Sequence, residues 1–241
     1  MVRPKRLHSR ITETLARRVI QAERHATQLA FPRESELCQQ LGISRTILRE
    51  SMKVLADKGM VEMKPRAGTR ARPRSGWRLL DPDILTWQAE VSADAPLLRD
   101  LCEVRLAIEP TAAGFAAVQA TADEIGQIAE CLEERAKKSR AANQGEIIEL
   151  DLNFHVAVVA ASHNPLLKEL SRIIRQPFRI ALSVTSRFPS TVELSLEAHH
   201  ELLAALRTRD PMAARRAAEE VVGLAMLAVE KAIRSEDRNT P

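Results

Sequence analysis

The sequence predicts a mainly α-helical protein in two parts: an N-terminal winged helix-turn-helix with a small β-hairpin, and a C-terminal all-helical bundle of six to seven helices. Three observations support this fold class. Between Phe31 and Thr69, two short helical segments flank a tight turn and precede a basic hairpin. From Ala95 onward, apolar residues return at helical spacing, and glycine and proline are scarce within long segments. The 241 residues also leave room for two cores.

The turn identifies the helix-turn-helix. Gly42 can take the positive backbone angle that ends the first helix, and Ser44 can accept a hydrogen bond from the first free amides of the second. The second helix is therefore expected to begin at about Arg45. Its apolar residues recur at helical spacing and form one inward-facing stripe: Leu48, Met52 and Leu55.

The opposite face of this second helix is a candidate DNA-reading surface. Arg45, Thr46 and Arg49 lie off the apolar stripe, and two arginines one turn apart beside a hydroxyl suit a base-pair edge and its phosphates. An isolated pair of arginines more often only solvates a helix. The next residues favour DNA binding, because Met60 to Met63 predict a short strand and Lys64 to Thr69 predict a basic turn before another strand.

Such a wing can enter a minor groove, where Gly68 allows close backbone approach and Arg66 meets the negative potential.

The distribution of charge along the chain agrees with DNA binding by the first domain. Residues 1 to 80 contain 18 Lys or Arg and 7 Asp or Glu, a balance of +11, whereas the remainder has 18 and 25, a balance of −7. Only the first domain is therefore expected to touch nucleic acid.

Changes in composition place a DNA-binding domain at 1–73, a linker at 74–93 and a helical domain at 94–235. The linker is interrupted by proline and glycine, yet Trp77 and Leu80 are too apolar for a free tether, so it is expected to dock on one or both domains. Breaks between helices of the second domain are expected near Thr121, Asn143, Asn164, Pro189 and Asp210.

A soluble cytoplasmic protein is expected. The sequence has no run of about 18 apolar residues, and no hydrophobic signal core follows the basic N-terminus. Cys38, Cys102 and Cys131 are far apart and form no C-x-x-C pair. They predict neither a disulfide framework nor a thiolate zinc site.

Over nearly its whole length, the chain resembles the GntR family of bacterial transcription regulators, in the FadR-like subfamily with an FCD effector domain. The N-terminal motif reads FPRESELCQQLGISRTILRESMKVLADKGMVEMKPRAGT. The second domain matches through EVRLAIEPTAAGFAA, DLNFHVAVVAASHNPLL, AHHELLAAL and DPMAARRAAEE, in that order. The linker segment WRLLDPDILTW is also similar to that of members that respond to sugar acids such as galactonate.

The resemblance implies DNA contacts by position, on the recognition helix and at the wing tip: Arg45, Thr46, Arg49 and Gly68. Ahead of the turn, the family's customary arginine is Ser35 in this chain. Arg33, two residues away, is the candidate to replace it. Ile47 stands where the family often has threonine or proline, and it either meets a thymine methyl or, as we expect, packs inward.

In the second domain, Asp151 and His155 stand at i and i+4, so they project from one helix face and can share a cation or a polar ligand. Such a pair alone is more often a structural hydrogen bond. The resemblance adds His199, while the position of a further histidine is Val221 here. It thus implies a site for one divalent ion (Zn, Ni or Mn) with three protein ligands and an open position for water or an effector carboxylate.

Arg105 lies on a helix face that the resemblance directs into the effector cavity. A buried guanidinium needs an anion, and its fork of donors matches a carboxylate. Arg105 is therefore expected to contact the effector together with the three metal-ligand candidates. The alternative is that Arg105 pairs with Glu109 or Glu103 on its own helix.

We expect a homodimeric transcription factor, a repressor of a catabolic operon, rather than an enzyme. Its two N-terminal domains would bind half-sites of a palindromic operator, and a small organic acid, such as galactonate, would release it from DNA. Two alternatives remain. One is an enzyme with a metal at the Asp151 cluster, against which the lack of a His-Glu-x-x-His signature argues. The other is a regulator that senses the metal itself or binds DNA without any ligand.

Overall fold

The computed structural model describes residues 7–64, 68–91, 95–138, 144–185 and 189–237. Within these ranges the chain is mainly α-helical with one two-stranded sheet, which confirms the predicted fold class. The chain divides into two compact units, Met1–Ser92 and Ala93–Pro241. Each unit has a buried apolar core of its own.

The first unit is a winged helix-turn-helix. Its elements, in chain order, are α1 (Leu7–Arg24), α2 (Glu34–Leu41), α3 (Arg45–Asp57), β1 (Val61–Lys64), β2 (Gly68–Ala71), a 3-10 turn (Arg74–Gly76) and α4 (Pro82–Val91). The two strands are antiparallel, with Val61 opposite Ala71 and Lys64 opposite Gly68. The predicted turn from Lys64 to Thr69 is therefore too long at both ends, because Lys64 is the last residue of β1 and Gly68 and Thr69 are the first residues of β2.

The turn between α2 and α3 forms as its residues predict. Gly42 has a φ of 64°, and Ile43 N–H donates to the carbonyl of Cys38, which closes the end of α2. The side-chain oxygen of Ser44 accepts a hydrogen bond from the amide of Ile47 at 3.3 Å. The recognition helix α3 therefore begins at Arg45.

The core of the first unit extends into the residues that we assign to the linker. The predicted stripe of α3, Leu48, Met52 and Leu55, is buried. Trp77, Ile84 and Trp87 are buried in the same apolar cluster. The segment up to the end of α4 therefore packs on the DNA-binding unit.

The described part of the second unit contains six helices, in agreement with the predicted six to seven. They are α5 (Ala95–Gln119), α6 (Ala122–Lys138), α7 (Gln144–Ala160), α8 (Pro165–Thr185), α9 (Pro189–Arg207) and α10 (Pro211–Asp237). Local chemistry starts three of them. Thr121 and Glu124 form a reciprocal cap at α6, Asn164 accepts two amide hydrogen bonds at α8, and Asp210 does so at α10.

Small residues dominate the interface between α5 and α10, where Ala113, Ala116 and Ala117 share a cluster with Ala214 and Ala218. Alanine side chains let two helices approach closely, and larger residues complete the cluster from the other helices: Leu132, Phe154, Leu202 and Leu206.

Within the described ranges, none of the helices combines the length and apolarity that a membrane crossing requires.

Candidate DNA-binding face and candidate metal site

The recognition helix presents its predicted contact residues to solvent. Arg45, Thr46 and Arg49 are all exposed near the start of α3, whereas Ile47 is half-buried against the core, as expected for inward packing. Arg33 is exposed directly before α2. Arg45, Thr46 and Arg49 thus share the exposed face of α3.

The predicted wing residues are only partly described. Gly68 is exposed and has a φ of 84°, a backbone angle that favours glycine. Arg66 lies outside the described residues.

A groove beside the recognition helix extends this face. Arg33 and Arg49 line it together with Lys53 and Lys64. Lys64 belongs to the predicted basic turn, whereas no pattern in the sequence indicates a role for Lys53. Glu34 also lines the groove, and its carboxylate lies 3.1 Å from Nε of Arg49. Because the Arg49 side chain remains 70% exposed, the pair orients the guanidinium without covering it.

The three metal-ligand candidates meet in the interior of the second unit. Asp151 and His155 lie one turn apart on α7, and His199 comes from α9. His199 Nε2 lies 3.3 Å from both His155 Nε2 and Asp151 Oδ1, and His155 Nε2 lies 3.6 Å from Asp151 Oδ2. A tetrahedral ion with bonds of about 2.0–2.1 Å has ligands roughly 3.3–3.4 Å apart. The separations therefore fit one small divalent ion.

Neighbouring hydrogen-bond acceptors orient the imidazoles of His155 and His199 so that their Nε2 atoms face each other and Asp151. His155 Nδ1 donates to the Glu109 carboxylate at 2.8 Å, and His199 Nδ1 donates to the backbone carbonyl of Ser195. A carbonyl oxygen can only accept, so Nδ1 of His199 carries the proton and its Nε2 offers a lone pair. Hydrogen-bonded partners of this kind orient histidines in metal sites. Asp151, His155 and His199 thus form a group of donor atoms of the kind that holds a divalent ion.

Electrostatics in the cluster favour charged carboxylates. Burial opposes ionisation of Glu109, but Arg105 and His155 outweigh it and lower the pKa of Glu109 to about 2. Burial likewise acts against the Asp151 carboxylate, yet Arg135 and the two histidines hold its pKa well below the ordinary value. Burial lowers the pKa of His199, whereas Glu109 and Asp151 overcome burial and raise the pKa of His155.

Arg105 is buried, and it pairs with Glu109 on its own helix through Nε and through Nη2, the latter at 3.1 Å. The alternative pairing of Arg105 with Glu109 is therefore present. Arg105 also borders a small cavity between α5, α7 and α8. Its other lining residues include His155, Leu152, Ser171, Ile174 and Arg175.

Some residues of the cluster gave little signal in the sequence. The sequence indicates Glu109 only as an alternative partner of Arg105, and nothing in it indicates the contact with His155. Arg135, on α6, lies 3.1 Å from Asp151, although its sequence neighbours are those of an ordinary charged helix end. Val221, in the position of the family's further histidine, is buried in α10.

Comparison with known proteins connects both sites to one family. A model for bacterial regulatory proteins of the gntR family matches residues 7–70, and a model for the FCD domain matches residues 100–223. The first spans α1 to β2, and the second contains all three metal-ligand candidates.

Individual relatives are also regulators of operon transcription, one a repressor and one an activator. The galactonate operon transcriptional repressor of Escherichia coli (strain K12) is 33% identical over 214 residues, which cover 87% of this chain and 90% of that protein. The Glc operon transcriptional activator of the same strain is 31% identical over 160 residues, covering 65% and 61%.

A solved structure described as "Lar controls the expression of the Listeria monocytogenes agr system and mediates virulence" has a TM-score of 0.65. The similarity covers 95% of this chain and 99% of that chain at 15% identity, which shows a common fold alone. The chain therefore belongs to the GntR family of bacterial regulatory proteins, as a FadR-like member with an FCD domain, and it is a DNA-binding regulator of transcription and not an enzyme.

Proposed function

We propose that this regulator is a repressor of a catabolic operon and that a small organic acid, such as the sugar acid galactonate, releases it from a palindromic operator. The observation that carries the proposal is the shared exposed face of Arg45, Thr46 and Arg49 on a recognition helix. Such a helix places its first residues at base edges in a major groove. Two copies of the chain as a homodimer would read the two half-sites.

The remaining DNA contacts would come from the residues around the helix. Arg33 is exposed beside the groove and suits a phosphate contact, and Gly68 would let the wing backbone approach DNA. Arg66 is proposed as a minor-groove contact on its sequence position alone. Under this proposal, the DNA-binding domain comprises residues 1–73, the effector-binding domain comprises residues 94–235, and the linker between these domains comprises residues 74–93.

In the second unit, Asp151, His155 and His199 would hold one divalent ion, Zn, Ni or Mn. The fit of their separations to a tetrahedral site supports this. A bound ion would supply a Lewis-acidic position that attracts an oxygen of the effector. Arg105, at the adjacent cavity, would contact the same ligand.

The relative that represses the galactonate operon supports both the sign of regulation and the class of effector. At 33% identity over most of both chains, it makes galactonate the first acid to test. An effector can act only through different affinities for the DNA-bound and released states, and a coupling of about 1–3 kcal/mol gives a useful response.

The buried three-residue cluster also favours a second candidate function, in which the metal itself is the signal. The two functions differ in what changes operator affinity. In the first, the acid weakens DNA binding of the metal-loaded protein. In the second, chelation or reloading of the metal changes DNA binding with no acid present.

The test starts with an operator selected from random duplexes by the purified full chain. Fluorescence anisotropy then measures operator affinity with galactonate, with galactose as the neutral control, and with a panel of other sugar acids and dicarboxylates. We expect at least one acid, and no neutral sugar, to weaken binding about fivefold or more. If no acid changes the affinity but a chelator does, the metal-sensing function replaces the proposed one.

A further inference from the structure

A second arginine lies beside the metal-ligand cluster, on the side of α6. Arg135 is 4% exposed. Its Nη2 donates to Ser195 Oγ at 3.2 Å, and its Nε lies 3.1 Å from Asp151 Oδ1. Within the described part of the chain, however, Nε and Nη1 have no partner in hydrogen-bonding geometry. Among the described residues, the buried guanidinium therefore has one donor, Nη1, without a partner next to the proposed metal site, and its Nε meets Asp151 as an ion pair outside hydrogen-bonding geometry.

Unused donors on a buried charged group are costly. A buried donor that loses water without gaining a partner destabilises the folded protein, and it does so more strongly when the group is charged. Most buried polar atoms are satisfied for this reason, so an unsatisfied one calls for a specific explanation. A guanidinium is best satisfied by an oxyanion, since its planar fork matches a carboxylate.

Metal binding at the cluster would increase this need for an anion. The carboxylate that faces Arg135 belongs to Asp151, which is also a metal-ligand candidate. Once Asp151 is bound to a divalent ion, its single negative charge has to offset both the ion and the guanidinium. Like charges this close in a buried site repel strongly unless another anion joins them.

Arg105 differs from Arg135 in this respect. It forms a two-point pair with Glu109, a carboxylate whose other neighbour in the cluster is a histidine. Arg135 instead depends on the carboxylate that the metal would use.

We infer that Arg135 is an anion-binding residue of the effector site and receives the carboxylate of the effector acid next to the metal. The inference rests on the proposed function for the existence of such an effector, and it adds a residue from α6 to those already proposed. The ligand class is a small carboxylic acid whose carboxylate lies between the guanidinium and the open metal position. A neutral analogue of the same shape should bind poorly.

Acetate is the simplest probe, with acetamide as its neutral counterpart. Thermal unfolding of the zinc-loaded full chain is measured across a series of each compound at constant ionic strength. The variants are Arg135→Met, Arg135→Lys and Arg172→Met, the last being an exposed arginine of α8 paired with Glu169. Zinc affinity of each variant is measured separately by competition with a chromophoric chelator.

We expect acetate, but not acetamide, to raise the melting temperature of the wild type and of Arg172→Met. In Arg135→Met, the apparent acetate affinity should fall about tenfold or more, the size expected for a charge-assisted pair. Arg135→Lys should lose part of the response, because an ammonium cannot offer the planar fork. If Arg135→Met does not fold, the acetate response of Arg135→Lys is compared with that of the wild type instead.

Two results would overturn the inference. One is the absence of an acetate response in zinc-loaded wild type. The other is a wild-type response in the Arg135 variants, even with weakened zinc affinity, because Arg135 would then only position Asp151. The proposed function is judged separately by the operator assay. If no acid releases operator from wild type, that proposal fails, whatever the acetate series shows.

Discussion

His155 shows how one side chain in this protein can serve two purposes through its two nitrogens. Nδ1 is held by Glu109 at 2.8 Å, and this contact turns Nε2 toward His199 and Asp151. A carboxylate in this position fixes the ring orientation and increases the basicity of the nitrogen that faces the metal. Glu109 therefore belongs to the site, although it would not bind the ion.

Replacing Glu109 with glutamine should weaken zinc binding about 10- to 100-fold, because the amide orients His155 less firmly and carries no charge. Glu103→Gln is the matched control, since Glu103 lies exposed on the same helix. Competition with a chromophoric chelator measures both affinities, and thermal unfolding checks that the variants are folded. Equal zinc affinity in the two variants would show that Glu109 has no part in metal binding.

Arg49 tests the DNA-binding face at the same scale. Arg49→Ala should weaken operator binding by about 1–3 kcal/mol if its guanidinium reads a base. The loss should be smaller for unrelated duplexes, so the ratio of specific to nonspecific affinity should fall. Lys137→Ala, an exposed cation of α6 paired with Glu133, is the control and should leave both affinities unchanged. Wild-type operator affinity in Arg49→Ala would argue against the proposed docking of α3.

What the sequence revealed at this scale depended on how local each interaction is. Asp151 and His155 could be grouped because one helical turn separates them. His199 needed the family resemblance, since 44 residues separate it from His155. Arg135 could not be found in either way, because nothing near it in sequence indicates that α6 brings it against Asp151.

At the scale of elements, the same distinction separates the turn from the linker. Gly42 and Ser44 act on their own neighbours, so the start of α3 could be predicted to the residue. The docking of α4 depends on contacts with distant residues. Lys58, at the end of α3, contacts Asp81 at 2.7 Å and Asp83 at 2.9 Å, and Trp87 enters the core. The sequence indicated only that this segment would dock somewhere.

Gly59 ties the end of α3 to the turn before α4, and its replacement should destabilise the first unit strongly. Its φ is 78°, and a Cβ placed on it would lie 2.2 Å from the backbone carbonyl oxygen of Gly76. Gly59→Ala therefore adds a steric clash to the cost of a left-handed alanine, for a loss of about 2 kcal/mol or more.

Gly42→Ala separates these two causes. Gly42 has a similar φ of 64°, but a Cβ there would meet nothing within 4 Å, so this variant should lose only about 1–2 kcal/mol. Urea unfolding of both variants measures the difference. If Gly59→Ala proves no worse than Gly42→Ala, the close approach between Gly59 and Gly76 contributes little to stability.

In the whole molecule, the boundary between the two compact units also separates a basic part of the chain from an acidic part. The compact unit Met1–Ser92 contains 18 Lys or Arg and 10 Asp or Glu, a balance of +8, whereas Ala93–Pro241 contains 18 and 22, a balance of −4. The net charge of +4 conceals this asymmetry. A positive unit attracts the DNA backbone, and an acidic one disfavours binding through the wrong surface.

This asymmetry predicts a steep dependence of DNA binding on salt. Each phosphate that the first unit neutralises releases condensed counterions, so the logarithm of the binding constant should fall linearly with the logarithm of salt concentration. With about 6–10 phosphate contacts, affinity should fall about 10³- to 10⁵-fold between roughly 50 and 200 mM salt. Anisotropy titrations with the selected operator measure the slope. Arg33→Ala should reduce the slope by about 0.9 if Arg33 neutralises one phosphate, whereas Arg172→Ala, in the second unit, should not change it. A flat salt response in the wild type would mean that the basic residues of the first unit do not face the DNA backbone, and the regulator would have to bind its operator through another surface.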